Sequence, residues 1–239
     1  MMIYEKKYDL RVSDFDKNDN MRPFGVLDLF QTVADKHASI LKIGFNELIA
    51  EDLVWVLLRT RYDVINPIGF GESEVTVKTW PHKAGRVDFD RDYQIDKADG
   101  RVGIIASSKW CIINVKTRKI VFGKGVSYPE DEYYPQVNYP DGLKKLADFD
   151  ILSAEKKEGF AGESALDHNG HVNNAKYAEF ILDAVPLLDG EKIKSFEINY
   201  INEMQVGNYQ LYFKKEGNKR LIKGFFGEKE SFRAEIETF

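Results

Sequence analysis

The spacing of apolar and polar residues changes several times along the chain, and each change marks an element. From Pro23 onward, Val26, Phe30, Val33, Ala34, His37 and Leu41 recur at helical spacing. This predicts one long helix with Pro23 in its first turn and Gly44 as its terminator. A strand is expected before it, at about 3–12, and Asp14-Phe15-Asp16-Lys17-Asn18-Asp19-Asn20 reads as a polar turn between the two. Four β-rich runs follow, at 53–65, 72–80, 87–95 and 102–115, broken by Gly69, Gly71, Pro81, Gly85 and Asp99-Gly100. Residues 128–148 then hold Pro129, Pro135, Pro140 and several tyrosines with no clear period, which predicts a linker.

The second half repeats this order. A strand near 154–158 and a polar turn precede a helix whose apolar face is Val172, Ala175, Ala178, Ile181, Leu182 and Val185, ended by Pro186. Strands are expected at 194–202, 209–215, 220–226 and 232–238. A lone helix cannot hide its apolar stripe, so a curved sheet must cover it. The expected fold is α+β: two tandem hotdog modules, each a long helix wrapped by an antiparallel β-sheet. The modules are placed at 1–127 and 151–239, joined by a linker at 128–150.

The two halves also align residue by residue. Asp16-x-Asn18-x-Asn20 matches Asp167-x-Asn169-x-His171, and matching Tyr62 to Tyr200 also brings Gly69 onto Gly207. In that register His171 faces Asn20 and Glu203 faces Ile65, so groups able to move protons survive in the second copy only. Asp and Asn before a helix are also ordinary capping residues, which explains Asp16, Asn18, Asp167 and Asn169 about as well as catalysis does. The conjunction of His171, two carboxylates and Asn173-Asn174 at a helix start is what points to chemistry.

Bulk properties narrow the function. The chain has 239 residues, 43% hydrophobic and 31% charged, as in ordinary globular proteins, and its longest apolar runs are far too short to span a bilayer. Met1-Met2-Ile3-Tyr4-Glu5 has neither the pattern of a secretory signal nor that of a transit peptide, so the cytoplasm is the expected location. A net charge of -5 argues against nucleic acid as a partner. The basic groups Lys116-Thr117-Arg118-Lys119 and Lys214-Lys215 with Lys219-Arg220 read as solvated hairpin rims. With Cys111 as its one cysteine, the chain has no disulfide framework and no cysteine-rich zinc site, and no metal is expected. Gly162-Glu163-Ser164-Ala165-Leu166 lacks the last glycine of a nucleophile elbow, and no Walker or dinucleotide signature occurs.

Asp167-His168-Asn169-Gly170-His171-Val172-Asn173-Asn174-x-x-Tyr177, together with Tyr200-x-x-Glu203, resembles the active-site region of the acyl-acyl carrier protein thioesterases. Thr79-Trp80-Pro81, Arg91-Asp92, Asp96 and Ser108-x-Trp110 resemble that family's N-terminal module, so the likeness spans nearly the whole chain. The short N-terminus looks like that of a bacterial member. The resemblance implies a tandem hotdog hydrolase that ends fatty acid synthesis. Such an enzyme cleaves the thioester between a fatty acyl chain and the phosphopantetheine arm of acyl carrier protein. It implies no cofactor of the enzyme's own and no membrane insertion, and leaves monomer or homodimer open. Asp167, Asn169, His171 and Glu203 correspond to the family's catalytic constellation. Plant members often carry Cys after that Glu; Met204 stands there in this chain, which closes a thiolate route.

In the expected mechanism Glu203 is the general base, and a partly apolar pocket would improve a carboxylate in that role. His171 would relay or donate a proton, Asn169 would orient the water or the carbonyl, and Asp167 would fix the turn. Backbone N–H groups of Val172 and Asn173 are candidates for the oxyanion hole, and Trp55, Trp80 and Trp110 for the acyl-chain surface. Direct attack by Asp167 or Glu203 is the rival mechanism. Rival functions are an acyl-CoA thioesterase, a hydroxyacyl dehydratase, or a non-catalytic hotdog protein that binds acyl chains.

Overall fold

The computed structural model describes residues 2–123, 126–129 and 133–239. Its first half runs β1 (Tyr4–Asp9), α1 (Pro23–Ile40), a short helix α2 (Phe45–Ile49), β2 (Leu53–Val64), β3 (Glu74–Pro81), β4 (Phe89–Lys97), β5 (Val102–Asn114) and β6 (Ile120–Val121). The second half runs β7 (Glu155–Ala161), α3 (Lys176–Ala184), β8 (Ile193–Tyr200), β9 (Gly207–Glu216), β10 (Lys219–Phe226) and β11 (Lys229–Thr238). The sequence pattern did not anticipate α2 or β6, both too short to show a period.

The expected modules share one sheet. Its eleven strands run in the order β1-β3-β4-β5-β2-β8-β11-β10-β9-β7, with β6 on β5. The seam is β2 against β8, where Tyr62 lies opposite Phe196 with the rings stacked at 5.7 Å. Helices α1 and α3 pack on one face of the sheet, and their apolar residues join one core that includes Phe30, Val33, Tyr62, Ile181, Phe196 and Phe232. Among the described residues no helix is long and apolar enough to cross a membrane.

Segment 133–149 differs from a loose linker. It lies as a strap across the sheet face opposite the helices, and it meets the strands nearly in sheet order. Trp80 donates to Gln136 O, Asn138 donates to Tyr93 O and Ala106 O, and Tyr139 donates to Asp63. Arg59 then donates to Leu143 O, Leu146 N to Asn199, and Lys223 to Phe149 O. Strand side chains alternate between faces, so Arg59, Arg61 and Asp63 reach the strap while Thr60 and Tyr62 face the helices. Residues 1, 124, 125 and 130–132, which fall within the expected first module and linker, lie outside the described residues. Arg220, expected on a solvated rim, is 3% exposed and paired with Glu191.

The second helix is shorter than its apolar pattern predicts: α3 has nine residues against eighteen in α1. Val172 and Asn173 precede it. Val172 forms a bridge with Leu166, and Asn173 Oδ1 accepts from Ala175 N at 2.8 Å, a local bond that competes with the helix.

Candidate active site

The turn before α3 is built by Asp167. Its Oδ1 accepts Asn169 N at 2.8 Å and His171 N at 3.3 Å, while its own N–H donates to His171 O at 2.8 Å. Gly170 sits at φ +77° inside this loop, a conformation open to glycine without strain. The loop thereby lifts Asn169 and His171 to the surface.

The first half holds the same turn. Asp16 Oδ1 accepts Asn18 N at 2.8 Å and Asn20 N at 2.9 Å, Asp19 takes the left-handed place at φ 57°, and Phe15 bridges Met21 as Leu166 bridges Val172. Its side chains do other work. Asn18 Nδ2 donates to Leu188 O, Asn18 Oδ1 accepts from Gly190 N, and Asn20 Nδ2 donates to Glu191 O, so this copy clasps the loop between α3 and β8.

The second carboxylate lies just past β8. Ile201 N and Asn202 N both donate to Ser231 O, and Val172 N donates to Met204 O at 2.9 Å, which brings the loop against the turn. Glu203 Oε2 then lies 3.2 Å from His171 Nε2. Asp167, Asn169, His171 and Glu203 thus belong to one surface locus formed by the turn and this loop. The repeat register needs correcting by two residues. Ile65 N and Asn66 N both donate to Gly103 O, the pattern of Ile201 and Asn202, so Glu203 corresponds to Pro67 instead of Ile65.

Three further expectations fail. Val172 N and Asn173 N cannot form an oxyanion hole as placed, since one bonds Met204 O and the other Ala165 O. Glu203 is not in an apolar pocket: its side chain is 55% exposed and that of His171 35%. Of the tryptophans, Trp80 faces the strap, with its ring against Tyr134. Trp55 bonds Ile43 O and packs on Phe89 in a second, smaller core. Trp110 alone lines a narrow cleft, with Leu27, Phe30, Leu57, Thr60 and Tyr93. Tyr200, three residues before Glu203 in the chain, lines the same cleft, as do Leu27 and Phe30 of α1.

Sequence reasoning missed a polar belt inside the first module. Arg91 is 7% exposed, bonds His37 Nδ1 at 3.1 Å and Thr79 Oγ1 at 3.2 Å, and has no carboxylate partner among the described residues. Burial, with the Arg91 charge beside it, pushes His37 down to about 3. Tyr93 and Trp110 meet on Ser108 Oγ nearby. The signal was a histidine on the apolar face of α1. Met204, in the place of the plant cysteine, is fully buried in the main core, so its side chain turns away from the site. Among the described residues no three His, Cys, Asp or Glu side chains are grouped to hold a metal.

Comparisons with known proteins find relatives both in sequence and in fold. The model of the acyl-ACP thioesterase N-terminal domain matches residues 1–122, and that of the C-terminal domain matches residues 156–221. The oleoyl-acyl carrier protein thioesterase 1 of Arabidopsis thaliana, a chloroplastic protein, is 26% identical over 226 residues. That match takes in 85% of this chain but only 61% of the relative. Solved structures of an acyl-ACP thioesterase from Bacteroides thetaiotaomicron and of the 12:0-ACP thioesterase from Umbellularia californica share the fold. Their TM-scores are 0.84 and 0.85, at 24% and 21% identity, each covering 100% of this chain and 98% of the other. Two family models that fall on the two halves of one sheet leave a single assignment: the chain belongs to the acyl-ACP thioesterase family.

Proposed function

We propose that the chain hydrolyses fatty acyl thioesters carried on acyl carrier protein, releasing free fatty acid and the carrier with its phosphopantetheine thiol. The observation that carries this reading is the 3.2 Å contact of His171 Nε2 with Glu203 Oε2, in the one half of the repeat that keeps both groups. We assign the acyl chain to the narrow cleft of mostly apolar walls that Tyr200, three residues before Glu203, helps to line.

Water attacks the thioester carbonyl while Glu203 takes its proton, the C–S bond breaks, and the proton passes through His171 to the leaving sulfur. The side-chain amide of Asn169 has no hydrogen-bond partner among the described residues, so with Val172 and Asn173 engaged we assign it as a donor to the carbonyl oxygen. With the couple open to solvent, the arriving acyl-pantetheine thioester would cover it. The reaction calls for no cofactor beyond the arm the substrate brings. A reducing compartment such as the cytoplasm suits a chain whose one cysteine, Cys111, is free and buried.

The test is incubation with a panel of acyl-carrier and acyl-CoA thioesters, following free thiol and free acid. Faster turnover of the carrier substrates supports the proposal. Equal or better turnover of CoA esters would make it an acyl-CoA thioesterase, a trans-enoyl product would make it a dehydratase, and acyl binding without thiol release would make it a binding protein.

A further inference from the structure

We propose that Tyr177 is a positioning residue whose hydroxyl, together with the Val172 N–H, clamps the Met204 backbone on both sides and thereby holds Glu203 against His171. This deepens the hydrolytic reading and rests on it. Little holds the Glu203 side chain in place. Its side chain is 55% exposed and has no side-chain partner among the described residues besides His171. A flexible side chain held by one contact gains little from it, because ordering its rotamers costs as much as an exposed pair returns. The backbone must therefore do the placing.

Both neighbours of Glu203 are fixed. On one side Asn202 N donates to Ser231 O at 3.1 Å and Asn202 Nδ2 to Glu230 O at 2.7 Å, tying that residue to β11. On the other side Met204 is fully buried, its carbonyl accepts from Val172 N at 2.9 Å, and its N–H donates to Tyr177 Oη at 3.2 Å. Val172 directly follows His171, and Tyr177 is on the first turn of α3. The two bonds thus join the acid's loop to the segment that carries the imidazole. Tyr177 supplies the one side-chain bond of this pair, so it is the part a substitution can remove cleanly.

Tyr177 is itself rigid. It is 3% exposed, and its ring meets Tyr200 at 5.4 Å and Phe232 at 5.2 Å, both edge-on. Tyr200 in turn donates to Asn174 O at 3.0 Å. Burial first, and then the Glu203 and Asp167 charges, raise the phenol well above its ordinary range, so it stays a neutral hydroxyl beside both acids. A phenylalanine would keep the packing and leave the buried Met204 N–H without a partner.

The experiment compares Tyr177→Phe with the wild type and with Glu203→Gln. Expected for Tyr177→Phe is a kcat about tenfold lower with KM within about twofold, the pattern of a lost transition-state interaction. The His171 ring-nitrogen resonances should also move toward those of Glu203→Gln, a readout that needs no turnover. In the wild type the Met204 amide should be protected from hydrogen exchange. A lower melting temperature with unchanged kcat and unchanged His171 resonances would overturn the proposal, as would a Met204 amide that exchanges like a free loop, even if Tyr177→Phe fails to fold. A wild type without any thioester hydrolysis would instead remove the functional reading, and the resonance and exchange results would still decide the clamp.

Discussion

His171 Nε2 and Glu203 Oε2 stand 3.2 Å apart, and neither side chain has another side-chain hydrogen bond among the described residues. One comes from a turn before α3 and the other from the loop after β8, so only the closed module brings them together. Because both are partly exposed, little of the fold depends on them. Glu203→Gln and His171→Ala should each lower kcat by about a hundredfold or more, the usual size of a general acid–base contribution. Melting temperatures should stay within a few degrees of the wild type. Near wild-type turnover in either folded variant would contradict the proposed roles.

The two Asp turns allow a paired comparison. Asp16→Ala and Asp167→Ala each remove a carboxylate that accepts two backbone N–H groups. Each should cost on the order of 1–2 kcal/mol in urea unfolding. Only Asp167→Ala should also reduce kcat, since its turn presents Asn169 and His171. Equal kcat losses in both variants would mean that the first turn is no mere clasp.

The seam predicts a single unfolding unit. Tyr62 and Phe196 are 1% and 0% exposed and stack across β2 and β8. Phe196→Ala should destabilise by about 3–5 kcal/mol, and calorimetry should show one transition before and after the change. Two separated transitions, with only the second half affected, would show that the modules fold independently.

His37 gives a pH dependence with a defined sign. It is pushed down to about 3 in the fold, against 6.5 for the free side chain, by burial and by Arg91, and the Tyr4 ring stacks on it. The unfolded chain therefore binds the extra proton between these values, and stability must fall as the pH drops through that window. The loss between pH 7 and 4 should be about 3 kcal/mol larger in the wild type than in His37→Gln. Parallel urea midpoints against pH for the two proteins would refute this.

Much of the architecture could be read locally. The stripe of Val26, Phe30, Val33 and Ala34 gave α1, and all four are buried on the sheet. Glycine, proline and Asp-Gly breaks gave the long strands to within a few residues, because turn chemistry is local. The offset between the Asp16 and Asp167 turns was visible for the same reason: a side chain that caps its own loop needs no distant partner. Even so, the end of α3 nearest the site was misjudged, since Val172 and Asn173 are drawn out of the helix by Met204 O and Ala165 O, far away in sequence or across the turn.

Distant pairing decided the rest. That β2 joins β8, that 133–149 crosses the back of the sheet, and that Trp80 faces this strap while Trp110 faces the cleft depend on which strands meet and in what register. A one-residue slip would reverse every face, and no local pattern fixes it across the seam. Asp167, Asn169 and His171 were recognisable from one short loop, but their neighbour Glu203 was matched to the wrong partner in the first half. Its true counterpart, Pro67, emerges only from the paired backbone bonds to Gly103 and Ser231. Residue types along the chain set which chemistry was available; the closing of the sheet set which of those residues could touch.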